Sequence, residues 1–250
     1  MKKMFKNWIL ENFSMNVTHN CYRKTRMLSF DNGRKNCMEK MRLASRKYKG
    51  KILNYIILDD QMQAVISGSS EQVTDIIRYI SSITAADYSL RTNREGPFWK
   101  GRYSITLIEK GIHLLRLSLM MDRALIDQEQ CLQLGEWKFS GYNDLTGIRK
   151  RYVIADACKM AELTGFRNEI EFKEWYVECS AIMSESIPSS IVALNRAAAV
   201  GNLDSLERIA ERFPRGWSNI EILIEDPKVP TYALYLSEKR RRSFTRSFKN

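Results

Sequence analysis

The chain has 250 residues, of which 44% are hydrophobic and 28% charged, which is the composition of a globular protein rather than of a disordered chain. Its formal net charge of +11 favours an anionic partner. The longest apolar runs, such as Ile52–Leu58, are too short to span a bilayer, and the first 13 residues lack the long apolar core of a signal peptide, so we expect neither a membrane span nor secretion.

The cysteine content excludes two further classes of protein. The five cysteines are odd in number, no two of them form a Cys-x-x-Cys pair, and only His19 and His113 are available to join them around a metal. We therefore expect no disulfide framework and no zinc site. No cofactor is expected either. The composition predicts a reduced, cytoplasmic protein.

The positive charge is concentrated at the two ends of the chain. Residues 1–57 contain 14 Lys and Arg against 3 Asp and Glu, a net charge of +11. Lys239 to Asn250 carries +6, and residues 58–238 carry −6. Phosphates attract such basic segments, so nucleic acid is the first candidate partner, with simple solvation of the ends as the alternative. No basic segment has the apolar face that binding to a membrane surface requires.

After a basic leader over residues 1–12, the N-terminal half alternates between strand and helix patterns. The predicted elements, in chain order, are a strand over Phe13–Cys21, a helix over Arg34–Tyr48, strands over Ile52–Leu58 and Gln61–Ser67, a helix that begins at a Ser70 N-cap and extends to Tyr88, a strand over Tyr103–Glu109 and a helix over Ile112–Ala124. The order β-α-β-β-α-β-α is that of the split βαβ, ferredoxin-like arrangement. We therefore predict an α+β fold over residues 13–149, with a four-stranded antiparallel sheet and helices on one face.

The remainder of the chain has a different pattern. Helical spacing without strand character occurs over residues 156–163, 169–183, 191–199 and 203–213, which predicts a small helical domain over residues 150–213. Residues 214–250 are expected to be an irregular segment followed by a basic tail.

Four short motifs follow one another in a fixed order. They are the strand pair from Tyr55 to Ile66, the segment from Gly96 to Tyr103, the helical segment from Leu114 to Ser118 and the segment from Trp137 to Tyr142. In order and spacing they resemble the single-tyrosine HUH transposases, especially the REP-associated and insertion-sequence type. The resemblance covers about residues 14–147. It implies a tyrosine nucleophile that cuts single-stranded DNA, with two histidines that hold a divalent metal against the scissile phosphate.

The positions that would carry this chemistry are changed in this chain. Gln61 and Gln63 stand where the resemblance places the two histidines, and Met120 stands where it places the tyrosine. An amide oxygen is a poor substitute for imidazole, and methionine has no hydroxyl with which to form a phosphotyrosine bond. The resemblance thus implies a catalytically inactive relative, without catalytic residues and without a metal site.

Recognition of nucleic acid could survive the loss of cleavage. It needs a basic groove for the backbone and aromatic faces for unstacked bases. The candidate residues are Arg23, Lys24, Arg26, Lys47, Lys49, Lys51, Trp99, Lys100, Arg102, Tyr103, Arg240, Arg241 and Arg242. A structural role for the Trp99 indole and plain solvation of the loop lysines are the alternatives.

Three functions follow from these observations. The first is a nucleic-acid-binding protein associated with the nucleoid, which would bind a DNA sequence or hairpin, or else RNA, and regulate transcription. The second is a protein-interaction module, because the acidic helical domain suits a protein partner; a homodimer is compatible with it. The third is an active nuclease in which Asp59 and Asp60 bind a metal and Tyr88 or Tyr103 is the nucleophile. No Ser-His-Asp set can be proposed on either of the two histidines, His19 and His113.

Overall fold

The computed structural model describes residues 3–22, 28, 30–93, 96–182, 195–212 and 218–237. Its helices are α1 (Lys3–Asn12), α2 (Asp31–Tyr48), α3 (Ser70–Thr92), α4 (Ile112–Asp127), α5 (Tyr142–Leu145), α6 (Ala157–Thr164), α7 (Glu169–Ile182) and α8 (Leu203–Ala210). Its strands are β1 (Phe13–Asn20), β2 (Lys51–Ile57), β3 (Gln61–Ser67), β4 (Ser104–Glu109), β5 (Ala199–Gly201), β6 (Ser218–Ile224) and β7 (Thr231–Leu236). Within these residues, no helix is long and apolar enough to cross a membrane.

The strands form one seven-stranded sheet in the order β2-β3-β1-β4-β5-β7-β6. Neighbouring strands are antiparallel, except that β4 and β5 are parallel. The α+β class predicted from the sequence is confirmed. The predicted four-stranded ferredoxin-like sheet is not confirmed, because β5, β7 and β6 extend the sheet beyond β4.

The alternation of side chains along β1 gives the sheet two different faces. His19 contacts Ser81 of α3, and Met62, the neighbour of His19 in register, contacts Cys37 of α2. The side chains of His19 and of the residues two and four positions before it therefore face α2 and α3. The side chains of Asn16 and Thr18 lie between these positions and point to the other side of the sheet. This arrangement positions the candidate site described below.

The start of α3 differs by one residue from the prediction. Ser69, not Ser70, is the N-cap, and its hydroxyl accepts a hydrogen bond from the Gln72 amide while the Gln72 side chain accepts one from the Ser69 amide. This is a complete capping box, which satisfies two of the unpaired amides at the helix start. The Ser70 alternative had no Glu or Gln three residues on, which is why the earlier serine is preferred.

The C-terminal part of the sheet corrects two predictions. Residues 214–238 are not irregular throughout, since they contain the β6–β7 hairpin. The prediction of a helix over 191–199 is wrong at its C-terminal end, because Ala199 begins β5. Residues 191–194 lie outside the described part of the chain. The Ala197–Ala199 run has a high helix propensity, but the Ala198 amide donates to Leu234 and its carbonyl accepts from Leu107. Pairing with strands on both sides overrides the local preference.

Helix α4 connects this C-terminal hairpin to the rest of the molecule. The Arg116 guanidinium donates to Asp226 at 2.6 Å and to the Thr231 hydroxyl at 2.7 Å. His113, one turn earlier, lies 3.0 Å from the same hydroxyl and is buried, and its burial together with the nearby Arg116 charge lowers its pKa to about 4. Helices α6 and α7 pack against α4 as well. The division of the chain into the domains stated above stays a prediction.

Candidate nucleic-acid interface

The two glutamines at the positions of the resembled metal pair lie in a network of neutral side chains on β1 and β3. Gln61 donates to the Gln63 amide oxygen at 3.2 Å, and Gln63 donates to Asn16 at 3.1 Å. Asn16 and Thr18 then both donate to the Asn195 amide oxygen, at 3.4 and 3.1 Å. The register explains this chain of contacts. Thr18 lies opposite Gln63 across the two strands, and Asn16, two residues before Thr18, is on the same face of the sheet.

This network has the chemistry of a structural hydrogen-bond ladder. Gln63 is fully buried, and both ends of its amide have a partner. A satisfied buried amide stabilises the strand pair, whereas a cation would have to displace these bonds to reach the oxygens. Across the described residues, no group of three or more His, Cys, Asp and Glu side chains is arranged to hold a metal ion.

Helix α4 carries Met120 and, two residues on, a buried carboxyl group. Met120 is buried among apolar side chains, where it fills space. Asp122 is fully buried; it accepts a hydrogen bond of 2.6 Å from Tyr176 of α7, and Asn54 of β2 lies 3.4 Å away. Burial raises the pKa of Asp122 to about 7 in spite of these two bonds. Sequence analysis missed this group, although a single Asp within the apolar run of α4 was a signal.

Asp59, one of the two carboxyls considered for a relocated metal site, is bound to Arg34. The Arg34 guanidinium donates to Asp59 and lies 4.8 Å from the Trp137 ring centroid and 5.1 Å from that of Phe139. Arg34 is buried beside these rings, whereas the Asp59 carboxylate at the other end of the ion pair is exposed. This arrangement favours a structural role for Asp59.

We expect Arg34→Lys to lower the free energy of unfolding by about 1–2 kcal/mol, because a lysine keeps the charge but loses the planar stack on two rings. Chemical denaturation followed by Trp fluorescence measures this effect. Arg78→Lys is the matched control, because Arg78 is exposed and pairs only with Asp75 among the described residues. Equal losses for the two variants would contradict the structural role of Arg34.

Trp99, predicted to stack on bases, belongs to an aromatic cluster on the other face of the sheet. Its ring is stacked on His19 with 4.1 Å between centroids and an interplanar angle of 11°, and its indole N–H donates to the Ser81 carbonyl at 2.9 Å. Phe98 packs edge-on against it at 4.6 Å, and Tyr88 packs against Phe98. The His19 ring occupies one face of the Trp99 indole, and only 9% of Trp99 is exposed. Stacking of a base on this residue stays a prediction.

His19 of this cluster also lines an open cleft of about 400 Å³. Tyr103 and Arg102 line it, together with Arg78 of α3. Lys100 and Arg102 are exposed, and Tyr103 is half-buried with a pKa raised by that burial. Lys100, Arg102 and Tyr103 lie close together because they are near neighbours within the Gly96–Tyr103 segment.

The predicted cations at the end of α2 are exposed but have different surroundings. Lys47 lies 5.3 Å from the ring centroids of Tyr48 and Tyr79. Lys49 ends the helix in the left-handed conformation with φ 57°. Lys51 forms an ion pair of 2.8 Å with Asp156, which raises the pKa of Lys51. These three residues lie at the opposite end of β2 and β3 from the Gln61–Gln63 pair.

The remaining predicted residues are not all covered by the structure. Six of them, Arg23, Lys24, Arg26, Arg240, Arg241 and Arg242, lie outside the described residues. Tyr88, the other candidate nucleophile, is 7% exposed and packed against Phe98, an environment that suits a core residue.

No protein-family model matches this chain, and no curated protein matches it significantly. Among solved structures, it is similar to a structure described as a REP-associated tyrosine transposase bound to a REP hairpin. The identity is 13% and the TM-score 0.43, over 58% of this chain and 85% of the other. The likeness is a distant one of fold, and it establishes neither a family nor a function for this chain.

Proposed function

We propose that the protein binds nucleic acid and does not cut it by a tyrosine- and metal-dependent mechanism. The observation that carries the proposal is the neutral amide ladder at Gln61 and Gln63. In the motif that resembles a metal-binding strand pair, the side chains bond to one another and to Asn16. The two positions that the resemblance assigns to metal ligands thus carry neutral side chains whose hydrogen bonds stabilise the strand pair.

Binding itself is supported by the distribution of exposed cations. Among the described residues, Lys47, Lys49 and Lys51 cluster at one corner, and Lys100 and Arg102 lie on the loop before β4. The ligand we propose is DNA in the form of a specific sequence or hairpin, with RNA as the alternative, and the role we propose is regulation of transcription.

The full-length protein is expected to bind a labelled DNA hairpin with an affinity that falls steeply with salt, since each neutralised phosphate releases counterions. Fluorescence anisotropy between about 50 and 200 mM salt should show at least a tenfold loss for a site that contacts several phosphates. Duplex and single-stranded DNA and RNA of equal length serve as comparison probes. An absence of binding to every probe at low salt would refute the proposal.

A denaturing gel run after incubation with Mg²⁺ or Mn²⁺ tests the second half of the proposal. We expect neither cleaved product nor a covalent protein–DNA adduct. If an adduct does form and Tyr103→Phe abolishes it, the chain is an active nuclease with a relocated nucleophile.

A protein-binding function is the second candidate, and one surface of α7 favours it. Ile170, Val177 and Ile182 are exposed on a helix that also carries Glu171, Glu174 and Glu178. Exposed apolar side chains among acids suit a protein partner better than a phosphate backbone. Ile170→Gln combined with Val177→Gln, which leaves the charge of the helix unchanged, should disrupt a partner complex recovered by affinity purification while leaving nucleic-acid binding unchanged.

A further inference from the structure

A second basic region lies on the far side of α2 from α3, where sequence analysis placed only Lys51. A groove of about 350 Å³ runs between α2, the chain from Arg149 to Cys158 and the start of α7. The cations that line it are Arg42, Arg46, Lys51, Arg149 and Lys173, and the acids are Asp144, Asp156 and Glu169. The lining therefore carries a formal charge of +2.

The ion pairs in the groove leave some of these cations accessible. Arg149 and Asp144 form a pair at 2.6 Å in which the carboxyl is buried, and this pair holds the loop together. Arg42, Lys51 and Lys173 are each paired with one acid, in the case of Arg42 with Glu39 outside the lining, and Lys51 and Lys173 keep exposed surface. Arg46 makes no ion pair with any described residue and is exposed. A phosphate in the groove could bind Arg46 without breaking an existing bond.

Tyr152 lies beside this groove in an unusual backbone conformation. Its φ is 58°, a region that a bulky residue enters at a free-energy cost, and 74% of its surface is exposed. The Arg42 guanidinium, which lines the groove, lies 5.7 Å from its ring centroid. Lys150 and Arg151, which precede it, are also exposed. The strained backbone therefore presents a ring that is largely exposed, with Arg42 over one part of it and the cations Lys150 and Arg151 beside it in the chain.

We propose that this groove binds the backbone of a single-stranded polynucleotide and that the Tyr152 ring stacks on one of its unpaired bases. This inference rests on the proposed nucleic-acid-binding function and names a surface for it. The two elements needed to bind a single strand, cations for phosphates and an aromatic face for a base, are adjacent here. The sugar is not specified by these contacts, so DNA and RNA are both candidates that the experiment separates.

The test measures binding of labelled 20-nucleotide single-stranded DNA and RNA to the full-length protein by anisotropy. Tyr152→Gly is expected to weaken binding roughly tenfold or more, because base–aromatic stacking is lost. Glycine adopts this φ without strain, so the variant should be no less stable than the wild type. Tyr152→Phe should bind like the wild type. Arg46→Ala should make the salt dependence of binding less steep by about 0.7 in log–log slope.

Lys228→Glu is the matched control for Arg46→Glu. Both variants change the net charge equally, but Lys228 is exposed in the β6–β7 turn, away from the groove. We expect Arg46→Glu to weaken binding at least tenfold more than Lys228→Glu does. If the wild type binds and the Tyr152 and Arg46 variants bind equally well, this inference is wrong and the proposed function stands. If the wild type binds neither strand nor any hairpin or duplex, the proposed function itself fails.

Discussion

Asp122→Asn is expected to become more stable relative to the wild type as the pH rises from about 4 to 7. The pKa of Asp122 is raised from 3.8 to about 7 by burial, so the folded state retains a proton that the unfolded state loses over this range. Wild-type stability therefore falls with rising pH by about 1.4 kcal/mol per unit, about 4 kcal/mol in all, and is constant above pH 7 as far as this group is concerned. Asparagine has no proton to lose.

The difference between the two unfolding free energies isolates this effect. Urea denaturation of both proteins at intervals from pH 4.5 to pH 8.5 gives the difference curve. His113, which burial keeps neutral, destabilises both proteins equally as the pH falls, so its contribution cancels. Tyr176→Phe, which removes the hydrogen bond to Asp122 but keeps the carboxyl, is the control and should retain a pH-dependent stability. A flat difference curve would mean that Asp122 is ionised in the folded protein.

Gly141→Ala is expected to lower the free energy of unfolding by about 3 kcal/mol, the upper end of the usual cost of overpacking. Gly141 donates to the Tyr55 carbonyl at 2.7 Å, which holds the Trp137–Tyr142 segment against β2. A Cβ at this position would lie 2.3 Å from the Asn54 amide oxygen and 3.0 Å from the Tyr55 nitrogen. Relief requires movement of Asn54, which also contacts Asp122, or of the strand itself.

Thermal and urea unfolding of Gly141→Ala and Gly135→Ala measure this cost. A Cβ at Gly135 would meet its nearest neighbour, the Ile148 side chain, at 3.4 Å, so that variant should lie close to the wild type. An equally small effect at Gly141 would show that the segment can separate from β2 without loss.

The first half of the fold was predictable because its patterns are local. The alternation along β1 and the apolar stripes of α2 and α3 depend on neighbours within one element. The last three strands were missed for a different reason. Strand β5 has three residues, it follows an alanine run that favours helix, and its partners Leu107 and Leu234 are distant in sequence. Only tertiary pairing makes this segment a strand.

The candidate site was predictable in its positions and less so in its surroundings. The motif resemblance located Gln61 and Gln63 correctly on one strand, but not the bonds to Asn16 and Asn195. Trp99 was recognised as a special residue, whereas its stack on His19 could not be inferred without the register of the loop. Tyr152 gave no signal, because its significance lies in a backbone angle and an exposed ring.

The parallel contact between β4 and β5 has a kinetic consequence. The Thr106 hydroxyl bonds the Ala197 carbonyl 91 positions further along the chain, so this part of the sheet closes a much longer loop than the β2–β3 hairpin does. Closure of a long loop is slow. Until β5 pairs with β4, the edge of β4 that faces away from β1 has unsatisfied backbone groups beside Ile105 and Leu107. During refolding at high protein concentration, that temporary edge is where a second chain would add in place of β5, so the yield of refolded monomer should depend on concentration.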